Sequence, residues 1–114
     1  MTYNRFVAKL TKENLWLYIL TELVRQPMYA YELARALKVK YEIQVATVTT
    51  YVVLYKMARE GLIRKREGKP LSTKPSRVYY EITDRGRWVL EGGKKFMGEV
   101  LRKLSEEAKG SGGA

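Results

Sequence analysis

The sequence contains no cysteine and no histidine. Without cysteine the chain forms no disulfide, offers no thiolate nucleophile and cannot build a cysteine-type zinc site. Without histidine it lacks the commonest general base and the commonest metal ligand. The sequence also has no glycine-rich phosphate-binding loop and no run of clustered carboxylates. We therefore expect a protein that is not an enzyme and that needs no metal or cofactor.

Long apolar runs are missing as well. The longest covers residues 51–55, whereas a membrane-spanning helix needs roughly 20 apolar residues. Arg5 and Lys9 are not followed by the apolar stretch that a secretory signal requires. A chain of 114 residues can bury a core without disulfides or metal. These features predict a cytoplasmic protein that does not insert into a membrane.

Positive charge is the strongest bulk signal. The chain has 22 Lys and Arg against 12 Asp and Glu, and residues 62–83 alone carry six basic and two acidic side chains. A basic surface attracts polyanions, and nucleic acid is the usual partner. The alternative is an ordinary solvated surface on a soluble protein, heat-adapted or not.

Two helices are predicted in the first third of the chain. The first begins with Thr11 as N-cap and ends before Pro27, with apolar residues spaced three and four apart. The second covers about residues 29–40, and the connection 41–45 that follows it is short. Two compact helices joined by a short connection are typical of a helix-turn-helix. Their predicted core positions are Leu15, Trp16, Ile19, Leu20, Leu23, Val24, Ala30, Leu33, Ala34 and Leu37.

The stretch 44–63 is ambiguous by propensity alone. Its first half is rich in valine and threonine, which favour a strand. Residues 56–60 favour a helix, and Gly61 is a normal helix end. No Gly, Pro, Asn or Asp is present to join a strand to a helix within the stretch. We therefore predict one helix over residues 44–60, leading directly into a strand.

A basic β-hairpin and a long helix complete the predicted fold. The hairpin has arms at residues 62–67 and 77–82, joined by a basic loop with two prolines at 68–76. Thr83 is the predicted N-cap of a helix that ends near residue 109 and is too long to bury against a small core. Gly92 and Gly93 weaken this helix but allow a kink or a close helix crossing. Its apolar side chains are the predicted dimer interface: Val89, Phe96, Met97, Val100, Leu101 and Leu104.

The order of these elements predicts a mainly α protein with a small β-hairpin, a winged helix-turn-helix built from a three-helix core, a wing and a long C-terminal dimerisation helix. Four short segments carry a more specific resemblance. Residues 27–33 read Pro-Met-Tyr-Ala-Tyr-Glu-Leu, and residues 49–51, 77–80 and 82–86 read Thr-Thr-Tyr, Arg-Val-Tyr-Tyr and Ile-Thr-Asp-Arg-Gly. In that order they resemble the Pro-x-His-Gly-Tyr-Glu-Ile/Leu, Thr-Leu-Tyr, Arg-x-Tyr-Tyr and Leu-Thr-x-x-Gly motifs of the PadR family of transcriptional regulators.

The resemblance implies a cytoplasmic homodimer that binds operator DNA and regulates transcription, usually as a repressor. It also implies that the C-terminal helix is the dimer element, and it suggests an apolar effector between the dimer helices and the domain. The sequence itself reveals no effector site. The expected division is a DNA-binding domain at residues 1–83, a dimerisation helix at 84–109 and a flexible tail at 110–114.

The predicted DNA contacts follow from this architecture. The helix 44–60 would enter the major groove, and the basic wing would contact phosphates or the adjacent minor groove. The candidate residues are Gln44, Thr47, Thr49, Tyr51, Lys56, Arg59, Arg64, Arg66, Lys69, Lys74 and Arg77. Two alternatives stay open: a sequence-independent architectural DNA-binding protein, and a winged helix whose wing docks an acidic protein partner.

Overall fold

The computed structural model describes residues 1–67 and 78–113. In chain order the described helices are α1 (Thr2–Leu10), α2 (Trp16–Arg25), α3 (Ala30–Val39), α4 (Thr47–Arg59) and α5 (Asp84–Gly113). The described strands are β1 (Met28–Tyr29), β2 (Ile63–Glu67) and β3 (Val78–Ile82). This is the predicted winged helix-turn-helix with a long C-terminal helix.

One apolar core joins helices α2, α3 and α4 to the sheet and to the start of α5. Ile19, Leu33 and Leu54, one from each of the three helices, are fully buried in it. Ile63 of β2 and Leu90 of α5 close the same cluster. Most of the predicted core positions on α2 and α3 are buried, but Val24 is exposed and does not belong to this core.

The N-terminal region differs from the prediction. Instead of one helix from Thr11 to Pro27, the structure has α1, a 3-10 turn at Lys12–Asn14 and then α2. The Thr11 hydroxyl donates a hydrogen bond to the carbonyl oxygen of Val7, at 2.6 Å, at the end of α1. The prediction that Thr11 is the N-cap of the helix that ends before Pro27 is therefore wrong, because that helix, α2, begins at Trp16.

The junction between α4 and β2 is built as predicted. Gly61 has φ of +77°, which an L side chain rarely adopts, and it ends the helix. The next residues, Leu62 and Ile63, are buried and lead into β2. Helix α4 is shorter than the predicted 44–60, because it begins at Thr47. The run of valines and threonines at the start of this stretch is thus helical, as predicted from the residues that follow it.

The sheet has three antiparallel strands in the order β1-β3-β2. The wing arms β2 and β3 pair from Ile63 opposite Ile82 to Glu67 opposite Val78. The sequence did not predict β1, which pairs Met28 with Tyr80 at the edge of β3. The predicted basic loop at residues 68–76 lies outside the described residues.

Two contacts position helix α5: an N-cap at its start and a close crossing with α2. The Thr83 hydroxyl accepts a hydrogen bond from the Gly86 amide at 3.0 Å, as expected for an N-cap. A Cβ atom at Gly93 would lie 2.9 Å from the Trp16 ring, so this glycine allows α5 to cross α2 closely. The helix runs to Gly113 and so includes most of the predicted tail at 110–114.

Candidate nucleic-acid interface

Helices α3 and α4 form the helix-turn-helix, and their connecting turn contains no glycine. Glu42 takes the left-handed conformation at φ of +55° instead. The amide of Ile43 donates to the carbonyl of Leu37 at 2.9 Å, and the Ile43 side chain is buried. These contacts bring the chain back across the end of α3 and set the direction in which α4 begins.

A buried carboxylate fixes this turn to α2. The Glu22 carboxylate accepts hydrogen bonds from the Tyr41 hydroxyl at 2.6 Å and from the Lys40 ammonium at 3.1 Å. Burial raises the pKa of Glu22, but the bonds from Tyr41 and Lys40 outweigh it and the pKa is lowered from its ordinary value. Burial and the bond to Glu22 raise the pKa of Tyr41 to about 12. The turn before α4 is therefore held by a charge-assisted contact as well as by apolar packing.

Helix α4 has one buried face and one exposed face. Thr50, Leu54 and Met57 are buried at helical spacing and hold the helix against the core. The opposite side of the helix faces solvent along its whole length. We call it the outer face of α4; its exposed residues are Thr47, Val48, Tyr51, Val52, Tyr55, Lys56 and Arg59.

The predicted contacts on α4 fall in different places. Thr47, Tyr51, Lys56 and Arg59 lie on the outer face, whereas Thr49 is half-buried at its flank. Gln44 is exposed but precedes the helix, in the connection to α3.

The sequence reasoning missed Tyr55, which is 63% exposed on this face. Its ring lies 5.8 Å from the Arg59 guanidinium carbon, a cation–π distance. The i, i+4 spacing of Tyr51, Tyr55 and Arg59 is the sequence signal that could have identified it.

A basic groove lies beside the start of α4, and the sequence reasoning missed it too. It has a volume of about 270 Å³ and is lined by residues of α3, Val45 and Thr47. Tyr31, Arg35 and Lys38 of α3 supply its aromatic and basic wall. The first backbone amides of a helix lack intrahelical acceptors, so the α4 end of this groove also carries partial positive charge. The spacing of residues 31, 35 and 38 on one helix face is the signal that could have predicted the cluster.

The wing presents positive charge that is partly compensated. The Arg64 side chain lies 2.8 Å from a Glu81 carboxylate oxygen, and Arg66 lies 4.0 Å from the other. Both arginines are exposed, and exposed pairs of this kind contribute at most about 1 kcal/mol, so a phosphate can compete for them. Lys65, on the same strand, is exposed. The other predicted wing contacts, Lys69, Lys74 and Arg77, lie outside the described residues.

Helices α1 and α5 also expose apolar side chains. On α5, all the predicted interface residues except Val89 are exposed; these are Phe96, Met97, Val100, Leu101 and Leu104. Val89 packs against the domain's own core. Helix α1 buries none of its residues and exposes a stripe at i, i+3, i+4 and i+7 that was not predicted: Tyr3, Phe6, Val7 and Leu10.

Other kinds of site are not visible in the described part of the chain. Across residues 1–67 and 78–113, no three acidic side chains gather into a group that could hold a metal ion. Among the helices in these ranges, none is both long and apolar enough to cross a membrane.

The helix-turn-helix, the paired wing strands and the basic flank of α4 define a protein of the winged-helix class. The model of the Transcriptional regulator PadR-like family matches residues 19–92. The chain therefore belongs to this family, and it is a PadR-like transcriptional regulator. No curated protein matches the chain.

Several solved structures are similar. A PadR-like transcriptional regulator from Bacillus cereus is 33% identical, covers 83% of this chain and 91% of its own, and has a TM-score of 0.70. A PadR family regulator from Eggerthella lenta is 24% identical with a TM-score of 0.74, covers 92% of this chain and 90% of its own, and shows the shared fold.

One similar structure contains DNA. Bacillus subtilis PadR, solved in complex with operator DNA, is 25% identical with a TM-score of 0.61. The match covers 68% of this chain but only 44% of the Bacillus subtilis protein.

Proposed function

We propose that this regulator binds double-stranded DNA in a sequence-specific manner as a homodimer and acts as a cytoplasmic repressor. The observation that carries the proposal is the outer face of α4, an exposed helix surface with basic residues beside its start and in its last turn. Arg35 and Lys38 lie on one side of it, and the basic wing follows it in the chain. The operator complex of the similar Bacillus subtilis protein supports the same partner.

In this proposal α4 enters the major groove, which is wide enough for one helix. Tyr31, Arg35 and Lys38 contact the phosphate backbone beside the start of α4, where the helix amides add their partial charge. Arg64 and Arg66 exchange Glu81 for phosphates, and Lys69, Lys74 and Arg77 extend the wing contacts along the backbone or into the minor groove. Phosphate contacts position the protein, while the outer face of α4 reads the bases.

The apolar surface of α5 supports the proposed homodimer. Gly86, Leu90 and Gly93 pack within the domain and Met97 lies at its edge. Val100 and Leu104 continue the same spacing of three and four residues beyond it. A stripe of this kind that leaves its own domain needs a partner helix, and a two-fold dimer is the commonest solution. The exposed stripe of α1 adds apolar area of the same kind. Such a dimer would place its two α4 helices about 34–36 Å apart on a near-palindromic site.

Selection of bound duplexes from a random pool, followed by footprinting against random competitor DNA, tests the DNA proposal. We expect enrichment of a near-palindrome with two half-sites about one helical turn apart. The affinity should also fall with salt at a slope of about −0.9 per phosphate contacted, for about 6–10 phosphates. Equal protection of all sequences would favour the architectural alternative. Absence of duplex binding at low salt would refute the proposal and favour a protein partner.

Sedimentation of two matched variants tests the dimer. Leu104→Glu places a charge in the apolar stripe of α5, so we expect the variant to sediment as a monomer at concentrations where the wild type is dimeric. Lys103→Glu changes the charge of the neighbouring exposed residue and should remain dimeric. A Leu104→Glu protein that stays as dimeric as Lys103→Glu would exclude this interface.

A second proposal concerns an apolar effector. A groove of about 250 Å³ lies between α2 and α5, and its wall is mainly apolar, with Leu17, Leu90 and Met97 among its lining residues. Tyr41 also lines it, and Tyr41 belongs to the turn that precedes α4. We propose that an apolar, aromatic-sized ligand binds here and changes operator affinity. Leu17→Trp, which fills the groove, should abolish the ligand's effect on operator binding while leaving ligand-free binding intact.

A further inference from the structure

The first two turns of the outer face of α4 carry two exposed valines, which is unusual for a surface expected to read polar base edges. Val48 is 70% exposed and Val52 is 49% exposed, and the two lie one helical turn apart. Neither residue is needed by the core, which α4 contacts through its buried face. Valine also has lower helix propensity than alanine. These two side chains therefore cost the free protein helix stability and expose apolar area without contributing to the core.

The amide and carboxylate side chains that read adenine and cytosine are missing from α4. Its sequence, residues 47–59, has no Asn, Gln, Asp or Glu. Asn and Gln read adenine in the major groove, Asp and Glu accept from cytosine, and Arg or Lys reads guanine. The basic residues of α4, Lys56 and Arg59, lie in its last turn. Lys56 is about one turn beyond Val52 and about two turns beyond Val48. The first half of the helix is thus left without a bidentate reader.

The major groove offers one apolar feature, the C5-methyl group of thymine. We propose that Val48 and Val52 contact thymine methyl groups, so that each operator half-site presents thymines to the first half of α4. This inference rests on the proposed function and names the sequence feature that the helix selects. Four residues of helix rise about 6 Å, and successive base pairs are 3.4 Å apart along the duplex axis. The contacted thymines therefore lie within about two base-pair steps of each other.

The neighbours of the two valines fit this arrangement. Thr47, just before Val48, and Tyr51, just before Val52, carry hydroxyls that can bond phosphates or base edges, and Tyr55 presents a further ring beside Val52. Lys56 and Arg59 can neutralise phosphates at the far end of the helix. The charges surrounding the valines favour DNA over a neutral protein surface as the partner of this face.

The test removes the methyl groups from the DNA without changing its hydrogen-bonding pattern. In a duplex selected with the wild-type protein, the thymines of each half-site are replaced by deoxyuridine, one position at a time. We expect an affinity loss of roughly fourfold per contacted methyl, the equivalent of one buried methyl group. Deoxyuridine placed outside the half-sites is the DNA control and should leave the affinity unchanged.

The protein side of the test uses Val48→Ala and Val52→Ala. Both residues are exposed and alanine favours helices, so both variants should fold. Each should bind the thymine operator more weakly than wild type and should lose its sensitivity to deoxyuridine at one position, because the methyl no longer has its partner. Val39→Ala, at an exposed valine of α3, is the matched control and should behave as wild type.

The outcomes separate this inference from the proposed function. A selected operator whose affinity is unaffected by deoxyuridine would overturn the thymine contact but leave sequence-specific binding intact. Sensitivity to deoxyuridine that persists in both valine variants would overturn the assignment to Val48 and Val52. If the pool yields no preferred sequence at all, the proposed function fails first, and the thymine contact fails with it.

Discussion

The hydrogen bond between Tyr41 and Glu22 provides a quantitative test of how α4 is positioned. The Glu22 carboxylate is 5% exposed, and its contact with the Tyr41 hydroxyl is 2.6 Å long. Tyr41→Phe removes the hydroxyl but keeps the ring, which packs edge-on against Tyr18. A hydrogen bond to a charged group contributes about 1.5–3 kcal/mol. We therefore expect the free energy of unfolding to fall by about 2 kcal/mol at pH 7.

The pH dependence identifies the cause of that loss. The pKa of Glu22 is lowered from its ordinary value of 4.5. The ionised carboxylate therefore stabilises the folded protein above pH 4.5, and this stabilisation is lost as the pH falls through the lowered pKa. The difference between wild type and Tyr41→Phe should shrink under acid, when the carboxylate is protonated in both proteins. The pKa of Tyr41 is raised from 10.0 to about 12, so its contribution is lost as the pH rises from about 10 towards 12.

Urea unfolding at a fixed protein concentration measures these differences, because the stability of the proposed dimer would depend on concentration. Tyr55→Phe is the matched control: Tyr55 is an exposed tyrosine, so the loss should stay within about 0.5 kcal/mol. A Tyr41→Phe protein as stable as Tyr55→Phe, or one whose loss is the same at acid and neutral pH, would refute a charge-assisted bond to Glu22.

Four further changes have expected outcomes. Gly86→Ala should cost more than about 3 kcal/mol in urea unfolding, because its Cβ would lie 2.2 Å from the Leu62 carbonyl oxygen. Gly92→Ala in the same helix should gain up to about 1 kcal/mol, since no described atom lies within 4 Å of its Cβ. Thr50→Val should raise the free energy of unfolding by about 1 kcal/mol, because among the described residues no partner bonds the buried Thr50 hydroxyl. Lys38→Ala should weaken all duplexes alike and reduce the salt slope by about 0.9, measured by titration at several salt concentrations.

Much of the fold could be predicted because its signals are local. The apolar spacing of α2 and α3, the glycine after α4 and the cap at Thr83 each indicate an element boundary through nearby residues. The β-branched run in α4 was assigned correctly only from its flanks, since its own propensity favours a strand. There the tertiary context, with Thr50, Leu54 and Met57 buried, decides the conformation.

The features that sequence reasoning missed depend on contacts between distant segments. Strand β1 has two residues, too few for an alternating pattern, and exists because Met28 and Tyr29 pair with β3. Helix α1 packs no residue into the core, so its amphipathic pattern lacks the neighbours that would have supported it. The basic groove forms only because α3 lies beside the start of α4. The spacing of residues 31, 35 and 38 places them on one face of α3, but it does not show that this face lies beside α4.

Helix α2 connects the two surfaces on which the proposed function depends. Its first residue, Trp16, packs against Gly93 where α5 crosses, and Glu22 bonds the turn before α4. A shift of α5 relative to α2 would therefore change the position of Tyr41 by two routes. One is helix α2 itself, and the other is the groove that Tyr41 lines. In the proposed dimer the spacing of the two α4 helices depends on α5, so the same contacts that stabilise the domain also set the half-site spacing that it can read. Glu22→Gln should consequently loosen the preference for one half-site spacing more than it lowers affinity for a single half-site.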